Sequence, residues 1–520
     1  DSVLHGGTPH PGARVRVPLA MLTRHGLIAG ATGTGKTKTL QLIAEQLSAA
    51  GVPVVLADVK GDLSGLAAPG AASDRTAQRA AQTGDDWTPT AFPVEFLSLG
   101  GIGPGVPVRA TLTDFGPLLL SKVLDLNETQ ESSLGLVYHY ADDAGLPLLD
   151  LQDLRAVVQW LLSDEGKPEL KNLGGLSSAT AGVILRELIG LAELGGDVFF
   201  GEPEFEPADL LRTADDGRGV LTAIQLAAVQ DRPALFSTFL MWLLAELFEE
   251  LPEVGDVDRP KLVFFLDEAH LLFSGASKAF LESVTQTVRL IRSKGVGIFF
   301  VTQNPTDVPS AVLGQLGNRV QHALRTFTPE DAKALRTTVS TFPKTEDYDL
   351  EELLTSLGIG EAAVTVLSDR GTPTPVAATL LRAPRSLMAP VDPAVLQQAV
   401  QVSPLQRRYG QEVDRESAYE RLAARLAPPP EEPRPAPRPE PARGRPAARR
   451  RATEPADGPV EESRFVDLFH WPVSGLTPES TPAVNRVESA YQHEPIAALL
   501  QNGSFEAAAG GLTAGTPAHW

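Results

Sequence analysis

Continuous apolar runs recur along the chain: Pro53-Val54-Val55-Leu56-Ala57, Leu262-Val263-Phe264-Phe265-Leu266 and Gly297-Ile298-Phe299-Phe300-Val301. Hydrophobicity without alternation marks strands covered on both faces, as in a central parallel sheet. Gly26-Leu27-Ile28-Ala29, Val94 to Leu99 and Gly219 to Ile224 read the same way. Between these runs the period changes. From Thr37 to Ala49, Leu40, Ile43, Ala44 and Leu47 fall at helical spacing, and Gly51 is a C-terminal stop. From Asp114 to about Leu194, Leu118, Leu119, Val123, Leu136, Val137, Leu154, Val157, Val158 and Leu161 keep that helical period. Alternating strands and helices predict an α/β fold with a doubly wound, mainly parallel sheet and a helical insertion. Past Thr326 a smaller mixed region carries strand candidates at 362–367 and 374–381. The chain therefore divides into the first part of the core (1–113), the insertion (114–217), the second part with a small mixed extension (218–385) and a helical segment (386–426). A disordered linker rich in Pro and Arg (427–460) and a C-terminal tail without periodicity (461–520) follow.

The first strand and helix flank Gly30-Ala31-Thr32-Gly33-Thr34-Gly35-Lys36-Thr37, a complete GxxxxGK[ST] phosphate loop. Its glycines let backbone N–H groups turn onto phosphates, Lys36 brings a point charge to the β- and γ-phosphates, and the Thr37 hydroxyl ligates Mg²⁺. The nucleotide-binding stretch is taken from Gly30 through Thr37 and on to Thr39. The run Leu262–Leu266 then delivers Asp267-Glu268-Ala269-His270. An acid at such a strand end holds the metal, so Asp267 joins Thr37 as a metal residue, and Glu268 is placed to take a proton from attacking water. His270 is equally well explained by packing. At the end of a further strand, Gln303 is the candidate sensor of the γ-phosphate.

Arg289, Arg292 and Lys294 lie between those two strands. Arg289 or Arg292 could serve as an arginine finger for a neighbouring subunit. Arg319 and Arg325 are rivals, and a solvated cationic face or a DNA-facing patch explains these residues as well. In Asp58-Val59-Lys60-Gly61-Asp62, either Lys60 or Asp62 faces the phosphates or metal, or the segment simply makes a turn. The catalytic candidates are thus Lys36, Glu268, Gln303, Arg289 and Arg292.

Composition narrows the function classes. The chain has 520 residues and no cysteine, which excludes disulfides, zinc–thiolate sites and thiol catalysis, and fits a cytoplasmic location. No apolar stretch is long enough to span a bilayer, so no membrane partner is expected. The chain starts at Asp1 without a methionine, so N-terminal residues are expected to be missing. A net charge of −20 argues against a surface that attracts nucleic acid everywhere, though not against a local basic channel. A guanine-reading Asn/Thr-Lys-x-Asp element is missing after Val301, and no Leu-Ser-Gly-Gly signature precedes the acidic strand. Adjacent Asp267 and Glu268 favour water over a metabolite as acceptor.

Four segments together carry a family resemblance: Gly-Ala-Thr-Gly-Thr-Gly-Lys-Thr, Ala-Asp-Val-Lys-Gly-Asp-Leu-Ser-Gly, Val-Phe-Phe-Leu-Asp-Glu-Ala-His-Leu-Leu-Phe and Arg-Ser-Lys-Gly-Val-Gly-Ile-Phe-Phe-Val-Thr-Gln-Asn-Pro. From about Arg24 to Arg382 the chain resembles the bacterial YjgR-type members of the HerA/FtsK superfamily of RecA-like motor ATPases. The resemblance implies a RecA-like P-loop fold, ATP and Mg²⁺, self-assembly into a homo-hexameric ring, and DNA helicase or translocase activity. Lys36, Thr37, Asp267, Glu268 and Gln303 match the family's motif positions. DNA and a nuclease or other protein are the implied partners. The alternative is a non-motor ATPase whose nucleotide state switches a protein partner.

Overall fold

The apolar runs become neighbouring strands of one sheet. The computed structural model describes residues 1–170, 174–273 and 278–426, so the linker and tail expected from 427 onward lie outside the described residues. The strands are β1 (Ser2–His5), β2 (Thr8–Arg14), β3 (Gly26–Ala29), β4 (Val54–Asp58), β5 (Val94–Leu99), β6 (Val106–Val108), β7 (Leu221–Gln225), β8 (Leu262–Leu266), β9 (Val296–Thr302), β10 (Asn318–Gln321), β11 (Glu361–Thr365) and β12 (Ala377–Leu380). They form a 12-stranded sheet in the order β2-β1-β12-β11-β10-β3-β9-β8-β4-β7-β5-β6. Every pair from β10 to β6 is parallel, and those from β10 out to β2 are antiparallel. β3, β4, β7, β8 and β9 are buried along their whole length, which is why their sequences do not alternate.

The order β10-β3-β9-β8-β4 matters most for function. It sets the phosphate-loop strand β3 beside β9, with the acidic strand β8 on the far side of β9. All these strands are parallel, so their C-terminal ends share one edge, where ligands gather in open α/β sheets.

The region past Thr326 joins this same sheet. β11 pairs antiparallel with β10, β12 follows, and the N-terminal hairpin β1–β2 closes that end. β10 leaves no strand signal in the sequence, because Asn318-Arg319-Val320-Gln321 is mostly polar; its ladder comes from β3 on one side and β11 on the other. β1, β2 and the three-residue β6 leave none either.

Between β6 and β7 the chain is mainly helical, with helices Leu112–Val123, Glu128–Asp143, Leu151–Leu162 and Ser178–Leu191. Asn127 and Asp150 start two of them with capping boxes, each satisfying otherwise orphaned N–H groups. Their apolar faces share a core with the helix Pro233–Glu250, whose Leu235, Phe239, Trp242, Leu243 and Leu247 are fully buried. Burial around most of its circumference explains that helix's almost uniformly apolar text. Among the described residues, no helix is long and apolar enough to cross a membrane.

Candidate active site

The loop Gly30–Thr37 is held from both neighbouring strands. Gly30 N–H donates to Thr302 O at the end of β9 (3.3 Å), and Ala31 N–H donates to Ala323 O just past β10 (2.8 Å). Gly30 has φ +153°, and a Cβ there would lie 2.5 Å from His322 Cβ, so only glycine fits against this wall. The helix Lys36–Ala49 starts directly from the loop, with its first-turn N–H groups facing the phosphate position.

Lys36 is buried and folds back over its own loop, donating to Gly30 O at 2.7 Å and Ala31 O at 3.2 Å. Burial lowers its pKa, while Glu268 and Asp267 pull it back up. Thr37 sits half-buried in the first helical turn. Thr39 points elsewhere. Its hydroxyl meets His322 Nε2 at 2.8 Å, and His322 Nδ1 meets Glu361 O at 2.9 Å. Burial pushes His322 down to about 4, so the ring is neutral and carries one N–H. Because a carbonyl only accepts, that N–H is on Nδ1, and the Thr39 hydroxyl donates to Nε2. Thr39 thus ties the loop helix to β10 and β11 rather than reaching toward a nucleotide.

Asp267 and Glu268 follow β8, and Ala269 N–H donates to Val301 O of β9 at 2.9 Å. β9 therefore anchors the phosphate loop and the acidic turn together. Asp267 is buried; its Oδ1 accepts from Glu268 N–H at 2.9 Å, and its Oδ2 has no partner among the described residues. Burial, and then the neighbouring Glu268 charge, push its pKa up to about 7. An orphaned, buried carboxylate oxygen beside a phosphate loop is what a divalent cation would satisfy. Among the described residues no cluster of three or more acids or histidines forms a complete cage. Mg²⁺ takes one or two protein oxygens and fills its shell with water and phosphate, and the unpartnered Asp267 Oδ2 is an oxygen of the kind it takes.

Glu268 adopts φ +48°, an uncommon conformation for a residue with a side chain. Its Oε1 is ion-paired with Lys60 Nζ, from the turn after β4. His270 Nδ1 lies 3.2 Å from Oε2, but too poorly aligned for a hydrogen bond. Burial alone would raise the Glu268 pKa, yet the Lys60 hydrogen bond and charge, with His270 and Lys36, hold it below the ordinary value. Asp58, buried at the end of β4, builds the turn that presents Lys60. Its carboxylate accepts from Gly61 N–H at 2.7 Å and Leu63 N–H at 3.2 Å. Burial and the nearby Asp62 raise Asp58 to about 6. Asp62 Oδ1 is buried without a hydrogen-bond partner among the described residues.

Gln303 stands exposed at the end of β9, between the two anchored motifs. The arginines do not converge on this edge. Arg292 precedes β9, whose seven residues span about 23 Å, so it lies at the opposite edge of the sheet. There it pairs with Asp256 at 3.1 Å, which also meets Arg24 at 3.4 Å. Arg289 is exposed near the end of the helix Lys278–Leu290, toward that same far edge. Arg319 is spent on Thr341 O and Leu316 O, and Arg325 reaches Thr355 O. His322, which supports the loop from beneath, escapes sequence reasoning because it sits in a polar run with no motif around it. The Lys60–Glu268 pair joins residues 208 positions apart, and the sequence offered Lys60 only as a residue near phosphate or metal.

The sequence model of the family described as helicase HerA-like, C-terminal, matches residues 5–463. No curated protein matches the chain by sequence. Among solved structures, the bacterial conjugative coupling protein TrwB, in a trigonal form with sulphate, aligns with a TM-score of 0.50 at 16% identity, covering 76% of this chain and 94% of that one. The chain shares its fold, that of RecA-like P-loop ATPases. VirB4 of Thermoanaerobacter pseudethanolicus aligns with a TM-score of 0.46 at 16% identity over 74% of this chain and 98% of that one.

Proposed function

The chain belongs to the helicase HerA-like, C-terminal family, and on that premise we propose that it is a Mg²⁺-dependent ATP hydrolase that assembles into a hexameric ring and couples turnover to movement along DNA. The observation that carries the reading is the meeting of three motifs at the end of β9. The phosphate loop and the acidic turn are each hydrogen-bonded to it, and Gln303 projects from its tip. Such a fixed arrangement supplies the positioning and charge stabilisation on which phosphoryl transfer chiefly depends.

In this mechanism the loop N–H groups and Lys36 bind and orient the phosphates, with Lys36 giving up the carbonyls of Gly30 and Ala31. Thr37 and Asp267 would hold Mg²⁺, which when bound neutralises charge on the β- and γ-phosphate oxygens. Glu268, once parted from Lys60, accepts the proton of the attacking water, and Gln303 orients that water or registers its loss. Arg289 and Arg292, facing away from the chain's own site, are offered to the next subunit of the ring.

A second reading, a non-motor ATPase that switches a protein partner, draws on one observation. Glu268 is held by Lys60, as suits turnover that waits for a partner. The nucleotide chemistry common to both is tested by steady-state ATP hydrolysis with Mg²⁺. Turnover should disappear in Lys36→Ala, and specific activity should climb with protein concentration as rings assemble. Normal hydrolysis by Lys36→Ala would overturn the site.

A further inference from the structure

The order of strands fixes which way a nucleotide lies across the phosphate loop. Glu268 and Asp267 stand beyond β9 on one side of β3, so the reacting γ-phosphate points that way. The nucleoside end then leaves on the other side, over β10 and β11. What waits there is the turn Gly358–Gly360 before β11. It touches the loop directly: Gly360 N–H donates to Thr34 O at 3.0 Å, and a Cβ placed on Gly35 would lie 3.4 Å from Gly360 N.

This turn is held rigid. Arg79, from the helix Asp74–Thr83, donates to Ile359 O and Gly360 O at 3.3 Å and to Leu381 O at 2.9 Å. Gly358 N–H donates to Glu361 Oε2 at 2.8 Å. Gly360 has φ +76°, a conformation that side-chain-bearing residues rarely adopt, and a Cβ on it would press on Arg79 Nη1 at 2.8 Å. Within this clamped turn Ile359 is 73% exposed. A β-branched apolar side chain fixed in place beside a phosphate loop gives a flat nucleobase a surface to lie on with little ordering to be done on binding.

We infer that the Gly358–Gly360 turn is the nucleobase shelf of the site, with Ile359 as its contact, and that it holds the base by its face without reading its edge. The inference rests on the nucleotide-site reading above. Edge reading needs free donors and acceptors, and those of the turn are nearly all engaged by Arg79, Thr34 and Glu361. Among the described residues only the Ile359 N–H of the turn remains, and a donor set against N7, an acceptor in adenine and guanine alike, does not separate them. The site therefore takes purine nucleoside triphosphates with little discrimination.

The test measures binding of ATP, GTP and inorganic tripolyphosphate, each with Mg²⁺, to the full chain and to its Ile359→Asp and Ile359→Val variants. The wild-type chain should bind ATP and GTP within about threefold of each other. Ile359→Asp should weaken both by about tenfold, the scale of a lost apolar contact in a pocket, with tripolyphosphate unchanged and Ile359→Val close to wild type. Unchanged ATP affinity in Ile359→Asp, equal weakening of tripolyphosphate, or strong preference for one purine would each overturn the shelf. A wild-type chain that binds neither ATP nor tripolyphosphate would instead bring down the nucleotide site itself, and the shelf with it. Since Ile359 is exposed, its replacement leaves the core intact, and a thermal melt of each variant verifies this.

Discussion

Replacing Lys60 with methionine removes the cation on Glu268 while keeping the length and apolar stem of the side chain. Glu268 is only 7% exposed at its side chain, whereas Lys60 is 48% exposed, so the pair lies between a surface and a buried ion pair. Exposed pairs contribute about 0–1 kcal/mol, and breaking buried ones costs about 3–5 kcal/mol. With one partner half in water, about 1 kcal/mol is a fair value for the attraction that must be given up before Glu268 turns to water. That corresponds to about fivefold in rate, since about 1.4 kcal/mol is tenfold. An opposing effect is that Glu268 without Lys60 gains pKa from its burial. His270 and Lys36 remain nearby, so measurement at a mildly alkaline pH keeps the carboxylate ionised. The assay is steady-state ATP hydrolysis by the full chain without DNA, for wild type, Lys60→Met and Lys60→Arg. Turnover in Lys60→Met should rise about fivefold, with Lys60→Arg near wild type. A fall of tenfold or more in Lys60→Met would refute the reasoning, because it would mean that Lys60 assists the phosphates and does not restrain the base.

Glu268→Gln should keep nucleotide binding while slowing hydrolysis by about 10²–10⁴-fold, the usual contribution of a positioned base; unchanged single-turnover hydrolysis would remove Glu268 from that role. A pH effect on stability is expected away from the site. Burial, then the neighbouring Asp114 carboxylate, push Glu204 up to about 9. The folded chain therefore keeps a proton there that the unfolded chain releases above its ordinary carboxylate range, so stability falls as pH rises from about 4.5 toward about 9. Glu204→Gln should remove that loss. Its melting temperature should exceed wild type by more at pH 8.5 than at pH 5, with a gain of about 1–2 kcal/mol once solvent screening is allowed for, and an equal offset at both pH values would contradict it.

Which parts of the fold were legible followed from how each strand is buried. β8 and β9 are covered on both faces, so the residues Leu262–Leu266 and the run around Phe299 declare themselves by unbroken hydrophobicity. β2 has mostly exposed residues, and β10 is polar yet central; their pairing depends on distant partners, and no local period records it. The phosphate loop and the acids are legible because close backbone approach to phosphate and charge next to metal restrict residue types at short spacing. The supports around them come from far along the chain. Lys60 meets Glu268 across β4 and β8, His322 closes under Gly30, and Arg79 grips the turn at Ile359. Such contacts are made by tertiary folding, and nothing in the local text requires them. Arg289 belongs to neither group: the helix that carries it runs away from the chain's own phosphate loop, and a finger for a neighbouring subunit would act on a site outside this chain.

The central claim, a motor whose hydrolysis is coupled to DNA, is tested most directly by steady-state ATP hydrolysis of the full chain with and without duplex and single-stranded DNA across a series of salt concentrations. The expected result is several-fold stimulation by DNA that fades as salt rises, because contacts to phosphates release counterions and weaken with ionic strength. Robust hydrolysis that ignores DNA at every salt concentration would contradict it and leave the nucleotide-switched partner protein as the better reading.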